Sequence, residues 1–171
     1  MREIIYDSYF WQNELVRLRA MEENDWEAHY YNRFDTPARR VLDYEVELPP
    51  TIAEAKDIVA RFADFKPGTG RLMFTITTLD GESVGAVNLN SIDEKNGTFS
   101  VGMQIDRDHR AKGYGTAAMR IILQYAFYER RLNKYYGSVL ELNISSATML
   151  RKLGCVEEVL WQCARAQHLL G

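Results

Sequence analysis

The apolar positions of the chain repeat with two different periods, and the switches between them mark out most of its elements. "LVRLRAM" (15–21) alternates apolar and polar residues, the two-residue repeat of a strand. "EENDWEAHYYNRF" (22–34) follows with a helix-start signal at Asn24 or Asp25. "PARRVLDYEVELPP" (37–50) holds neither period and reads as irregular, closed off by two prolines. "TIAEAKDIVARFADF" (51–65) returns to the helical period. Thr51 stands at the N-cap with Glu54 three residues on, and Ile52, Ala55, Ile58, Val59 and Phe62 share one face.

Beyond residue 70 the pattern turns to strands. "RLMFTITTLDGESVGAVNLNSID" (71–93) is a hairpin about Asp80-Gly81, and "NGTFSVGMQID" (96–106) adds a third antiparallel strand after Asn96-Gly97. Thr116 to Arg130 places Met119, Ile122, Leu123, Ala126 and Phe127 on one helical face, predicting a helix packed on that sheet. "YYGSVLEL" (135–142) reads as another strand. "SSATMLRKLG" (145–154) reads as a short helix with a Ser N-cap and Gly154 at its stop. The order β-α-α-β-β-β-α-β-α predicts a single mixed α/β (α+β) domain over residues 1–171.

Composition narrows the partners. A chain of 171 residues is long enough for one domain with a real core. Its net charge of −3 argues against general nucleic-acid binding and suits a cationic partner such as an amine. Cys155, Cys163, His29, His109 and His168 match no zinc spacing, so no metal is expected, and the cysteines read as reduced core thiols. The N-terminal stretch is too polar for a signal peptide, and no apolar run reaches about 18 residues. A cytoplasmic protein without membrane contact is expected.

The chemistry concentrates in "RAKGYGT" (110–116), between the strand "VGMQID" and the amphipathic helix. Gly113 and Gly115 lack a Cβ, so successive N–H groups can turn inward on an anion. The first turn of the helix adds unpaired donors and a positive dipole end, while Arg110 and Lys112 add mobile positive charge. Together they suit a pyrophosphate. They also suit a plain tight turn, with glycines for geometry and charges for solubility.

Two other phosphate loops fit worse. A P-loop requires Gly-Lys-Ser/Thr, which is absent. The dinucleotide fingerprint is formally matched by Gly113, Gly115 and Ala118, with Glu141 as the acidic residue. Yet seven residues, Asp106 to Lys112, separate the strand end at Ile105 from the first glycine, and too little chain remains for a doubly wound sheet.

Arg110-x-x-Gly113-x-Gly115 after a strand resembles the R/Q-x-x-G-x-G/A signature of the GNAT superfamily of N-acetyltransferases. "ELNISSATMLRKLGC" (141–155) resembles the family's next block, a strand ending in Asn and a helix ending in Lys-x-Gly-aromatic. The matching residues are Asn143, Lys152 and Gly154, with Cys155 in place of the aromatic. The similarity spans roughly residues 14 to 160 and is nearest to the ribosomal-protein-alanine and spermidine acetyltransferase-like branch.

The resemblance implies a mixed, mostly antiparallel sheet of six to seven strands with about four helices, splayed between the fourth and fifth strands. It implies acetyl-CoA as cofactor, its pyrophosphate held around Arg110, Ala111, Lys112, Gly113, Tyr114, Gly115 and Thr116. Met103, Gln104 and Ile105 would bond the pantetheine arm, and Asn143 would hold its far side or cap the next helix. Transfer would go directly to a primary amine, whether a protein N-terminus, a polyamine or another small amine, with a strand N–H near Met103 stabilising the oxyanion.

The usual proton carriers of that family are replaced. Leu150 stands where many members have a Tyr, Ser100 where a Glu often precedes the strand glycine, and Arg165 at a third Glu position. Ser146 could hydrogen-bond the departing sulfur or serve as a helix cap. Glu141, two residues before Asn143, shares its strand face and is the base candidate, against a plain surface carboxylate. A thiol with a pKa of about 8.5 leaves without a strong acid, and an α-amine near about 8 loses its proton more easily than a lysine-like amine at about 10.4.

Two alternatives to an acetyltransferase remain, a non-catalytic acetyl-CoA-binding module and, more remotely, a nicotinamide oxidoreductase. Trp26, Tyr30, Tyr31 and Phe34 divide between core and acceptor wall. The ending "CARAQHLLG" predicts a shortened last strand or a sheet completed by a homodimer or higher oligomer.

Overall fold

Strand pairing sets the frame. In the computed structural model, which describes residues 4–42, 46–66 and 68–158, the strands run β1 (Arg17–Ala20), β2 (Leu72–Thr77), β3 (Ser83–Asp93), β4 (Thr98–Ile105) and β5 (Lys134–Tyr135). Their order in the sheet is β1-β2-β3-β4-β5. The first three pairings are antiparallel, β2–β3 and β3–β4 through the Asp-Gly and Asn-Gly turns, and β4 pairs β5 in parallel. The helices are α1 (Trp26–Asn32), α2 (Thr36–Leu42), α3 (Ile52–Phe62), α4 (Tyr114–Gln124) and α5 (Ile144–Lys152).

The sheet has a dry face and a polar one. On the dry face Leu18, Phe74, Ile76, Val87, Leu89 and Phe99 meet Ala118, Ile121 and Ile122 of α4, all essentially buried. Burying side chains of this size contributes about 1.5–3 kcal/mol each, so this layer carries most of the stability. Trp11 seals its end by stacking on Phe74 with ring centroids 4.8 Å apart.

On the other face Arg19 forks onto Asp25 at 2.6 and 2.8 Å, and the Thr75 hydroxyl donates to the same carboxylate at 2.8 Å. Burial alone would push the Asp25 carboxyl up. The donors from Arg19, Glu22 and Thr75 outweigh it and hold the group below its ordinary range. α3 packs there through Ala55 and Val59, and its first turn is fixed by Glu54 N–H donating to Thr51 Oγ1 at 3.1 Å, as the capping pattern predicts.

Several expectations are corrected. "PARRVLDYEVELPP" is not irregular throughout, because residues 36–42 form α2. α4 starts two residues early, at Tyr114, with Gly113 as its N-cap at φ +87°. The strand expected over 135–142 shrinks to the paired residues Lys134 and Tyr135, and the sheet has five strands among the described residues rather than six or seven. The N-cap of α5 is Asn143, not a serine. α1 buries none of its residues fully, so its aromatic side chains are not core, and Tyr31 and Phe34 are exposed. Cys155 is half-buried, which pushes its thiol up. Cys163, Arg165, His168 and the expected last strand lie outside the described residues. Among those described, no helix is long and apolar enough to cross a membrane.

Candidate active site

The site begins where β4 and β5 part. Their pairing covers only Thr98–Lys134 and Phe99–Tyr135, extended by Tyr136 N–H donating to the Phe99 carbonyl at 2.9 Å. Phe99 is fully buried, with its ring against Phe127 and Tyr135, and pins the two strands together at that point. Past it β5 gives way to coil, while β4 continues six residues along β3. The outer edge of β4 from Val101 to Ile105 therefore faces a wedge-shaped gap, the expected splay.

Backbone direction decides which residues serve that gap. Phe99 points its carbonyl toward β5, and Asp106 N–H bonds the Val84 carbonyl of β3 at 3.0 Å. Alternation then turns the N–H and C=O groups of Val101, Met103 and Ile105 to the gap and those of Ser100, Gly102 and Gln104 to β3. Of the three residues expected to bond the pantetheine arm, Met103 and Ile105 turn their backbone groups to the gap and Gln104 turns its own to β3. Its side chain turns to the polar face, where Oε1 accepts from Arg39 of α2 at 2.9 Å, and Nε2 is buried with no partner among the described residues.

The loop 110–116 closes the wide end of the wedge. Gly113 adopts a left-handed φ of +87° that a side chain would strain. Gly115 faces Met103, whose Cε would lie 3.2 Å from a Cβ placed there. That close approach lets α4 lie directly against the strand. The first bond of α4 runs from Ala117 N–H to the Gly113 carbonyl, so the N–H groups of Tyr114, Gly115 and Thr116 precede the ladder and have no partner within the helix. Unpaired N–H groups at a helix N-terminus are what an anion nest requires, and Ala111 (φ +62°) and exposed Lys112 precede them in the loop.

Arg110 departs from expectation. Its charge is not mobile, because Nη2 donates to Asp35 at 2.6 Å while Nε donates to the Ile105 carbonyl at 3.0 Å.

Across the gap lies the start of α5. Asn143 caps it, accepting from Ser146 N–H at 3.2 Å, and its Nδ2 reaches the Val41 carbonyl of α2 at 3.5 Å. Ser146 is thus the third residue of the first turn and half-buried, with its hydroxyl not spent on capping. Glu141 lies in an exposed turn, not on a strand, so the shared face with Asn143 that made it a base candidate does not form.

Sequence reasoning missed α2 and what it touches. Arg39 is bidentate to Glu47 at 2.8 Å and reaches Gln104, while His29 sits close by. Burial, reinforced by the charges of Arg39 and Arg33, pushes the His29 imidazole down and favours its neutral form. The signal for α2 lay in Asp35-Thr36-Pro37, an N-cap residue followed by a first-turn proline.

An antiparallel meander β1–β4 continued by a parallel β5 that leaves β4 after Phe99, with helices packed against it, is a mixed α/β fold. The family model described as "Acetyltransferase (GNAT) domain" matches residues 16–156. The chain belongs to the GNAT acetyltransferase family and is an acetyl-CoA-dependent acyltransferase.

Among relatives, the uncharacterized N-acetyltransferase p20 of Bacillus licheniformis is 26% identical over 149 residues, 86% of this chain and 82% of its own. The spermidine N-acetyltransferase of Vibrio cholerae, solved with CoA and spermine, superposes with a TM-score of 0.75 at 20% identity, covering 86% of this chain and 84% of that one. A ribosomal L7/L12 α-N-protein acetyltransferase solved with CoA gives a TM-score of 0.70 at 16% identity, with coverages of 82% and 79%.

Proposed function

We propose that the protein transfers the acetyl group of acetyl-CoA to a primary amine, with both bound together in the splay. The observation that carries this reading is the pairing pattern of β4. It is bonded to β3 along its inner edge and, past Phe99, has no strand partner on its outer edge among the described residues, with the Gly113–Thr116 turn beside it. The residues fit the cofactor. The nest N–H groups would hold its pyrophosphate, Met103 and Ile105 its pantetheine arm, and Asn143 the far side. Bound there, acetyl-CoA supplies an acyl group activated as a thioester.

The chain's own contribution is placement and charge. The Met103 N–H faces the gap on a rigid strand, where a donor fixed in advance stabilises a developing oxyanion without reorganising. Ser146, with its hydroxyl uncommitted to capping, would donate to the departing sulfur.

The polar face of β3 and β4 beside the gap carries Asn88, Asn90, Ser100 and Gly102, which pair across the strands. All are neutral. These residues offer hydrogen-bond acceptors but no carboxylate, and the Asp25 and Glu47 carboxylates elsewhere on that face are bonded to Arg19 and Arg39. This suits an amine that sheds its own proton, so an α-amine at about 8 is a better acceptor than a lysine-like amine at about 10.4. The names of the structural neighbours, one acting on spermidine and one on a protein α-amine, bracket this choice.

A thiol-release assay with acetyl-CoA tests it against spermidine, lysine and a short peptide with a free N-terminus. Turnover at pH 7 is expected to be greatest with the peptide. CoA binding with no turnover on any amine would overturn the reading in favour of a binding module. Ser146→Ala is expected to lower kcat severalfold with little change in the KM for acetyl-CoA, and an unchanged kcat would remove Ser146 from the reaction.

A further inference from the structure

Asp35 lies between α1 and α2, far in sequence from the loop 107–116, yet it binds that loop twice. Its carboxylate accepts from Arg110 Nη2 at 2.6 Å and from Arg107 Nη2 at 3.1 Å, and its side chain is only 7% exposed. The same carboxylate faces Ala38 N–H at 3.4 Å, at the start of α2. Arg110 is held at a second point, its Nε on the Ile105 carbonyl at 3.0 Å, which is one of the groups turned to the gap. Next to this, Asn32 Nδ2 donates to Asp106 at 2.8 Å. α2 in turn reaches β4 through Arg39 and Gln104 and the opposite bank through Val41 and Asn143. One buried carboxylate thus joins the anion nest, the strand edge and the helix that spans the polar face.

We propose that Asp35 is a positioning residue for the cofactor: it fixes Arg110 at the mouth of the pyrophosphate nest and ties that nest to α2, so that cofactor binding orders the amine side of the cleft. The inference rests on the assignment of residues 110–116 to the pyrophosphate.

The electrostatics agree with the geometry. Burial would raise the Asp35 carboxyl, but the bonds from Arg107 and Arg110 outweigh it and hold the group below its ordinary range. Two guanidinium groups share one carboxylate, and Arg110 keeps 39% of its side chain exposed while held there. An arriving polyanion meets a fixed cation and spends no side-chain entropy in ordering it. Without the carboxylate, Arg107 and Arg110 lose their shared anchor and α2 loses its tie to the loop.

The test compares Asp35→Asn, Asp35→Glu and wild type by titration with two probes, CoA and pantetheine, the second lacking the pyrophosphate. Asp35→Asn is expected to raise the Kd for CoA about tenfold and to leave that for pantetheine within about twofold, with Asp35→Glu recovering most of the loss. Hydrogen exchange supplies the coupling readout. CoA should slow exchange over residues 36–42 in wild type and not in Asp35→Asn. A folded Asp35→Asn that binds CoA as wild type does, or that loses CoA and pantetheine alike, overturns the inference. A wild-type protein that binds pantetheine but gains nothing from the pyrophosphate of CoA overturns the underlying assignment instead.

Discussion

The two banks of the cleft are built by different means. The β4–α4 bank is a strand bonded along its length to β3 and backed by a buried layer that includes Phe99, Met119 and Ile122. The β5–α5 bank has two paired residues, a stretch of coil and a helix with no fully buried residue, with Leu142 and Ile144 exposed. It is held by the Phe99 junction and by polar bonds such as Asn143 to Val41. In the proposed function the first bank would carry the groups whose position must not vary, the oxyanion donor and the pyrophosphate N–H groups, and the second the groups that close on the bound cofactor. Stability and adjustability are thus assigned to opposite sides of one gap.

The sharpest way to break this contrast is at the junction. Phe99→Ala removes a fully buried ring and should cost about 3–5 kcal/mol, read as a loss of denaturant stability. Ile144→Ala, on the exposed bank, should cost almost nothing, and comparable losses at the two sites would erase the distinction.

Next in size, Gly113→Ala imposes a side chain at φ +87° and should cost about 1–2 kcal/mol locally. Expressed in the nest, that raises the Kd for CoA by roughly 5- to 30-fold with a smaller change for pantetheine, as calorimetry would show.

On the softer bank, Asn143→Ala removes the α5 cap and should cost about 1 kcal/mol, with faster amide exchange confined to the first turn of that helix.

The smallest effect is a gain. Burial raises the Asp106 carboxyl above its ordinary range, so ionising it penalises the folded state at neutral pH. Asp106→Asn keeps a carbonyl for Asn32 and should raise Tm slightly at pH 7. The gain should vanish below about pH 4, where the wild-type group is also protonated.

The same contrast explains what the sequence revealed. The rigid bank follows local rules. Asp-Gly and Asn-Gly turns make the meander, period 3.6 makes α4, and a glycine pair after a strand marks the nest, so all of it could be read from short windows. The soft bank depends on context. "YYGSVLEL" has the composition of a strand, but past the Tyr136–Phe99 bond the chain turns away from the edge of β4, so propensity yields to topology. Glu141 fell with that strand. Asp35 could be read as an N-cap for α2 only if Thr36-Pro37 were joined to it, and taking the segment from Pro37 onward severed the two. Its partnership with Arg110 links residues 75 apart, which no local pattern encodes.

The taper of the gap has a consequence for selectivity. The banks touch at Phe99 and stand widest at the loop, about 20 Å away at roughly 3.3 Å per strand residue. On the proposed cofactor placement an acyl group would enter from the loop end toward the apex, where the strands converge. Acyl-CoA donors of increasing chain length are then expected to turn over progressively more slowly than acetyl-CoA, and equal rates with a long-chain donor would show that where β5 leaves the sheet sets no such limit.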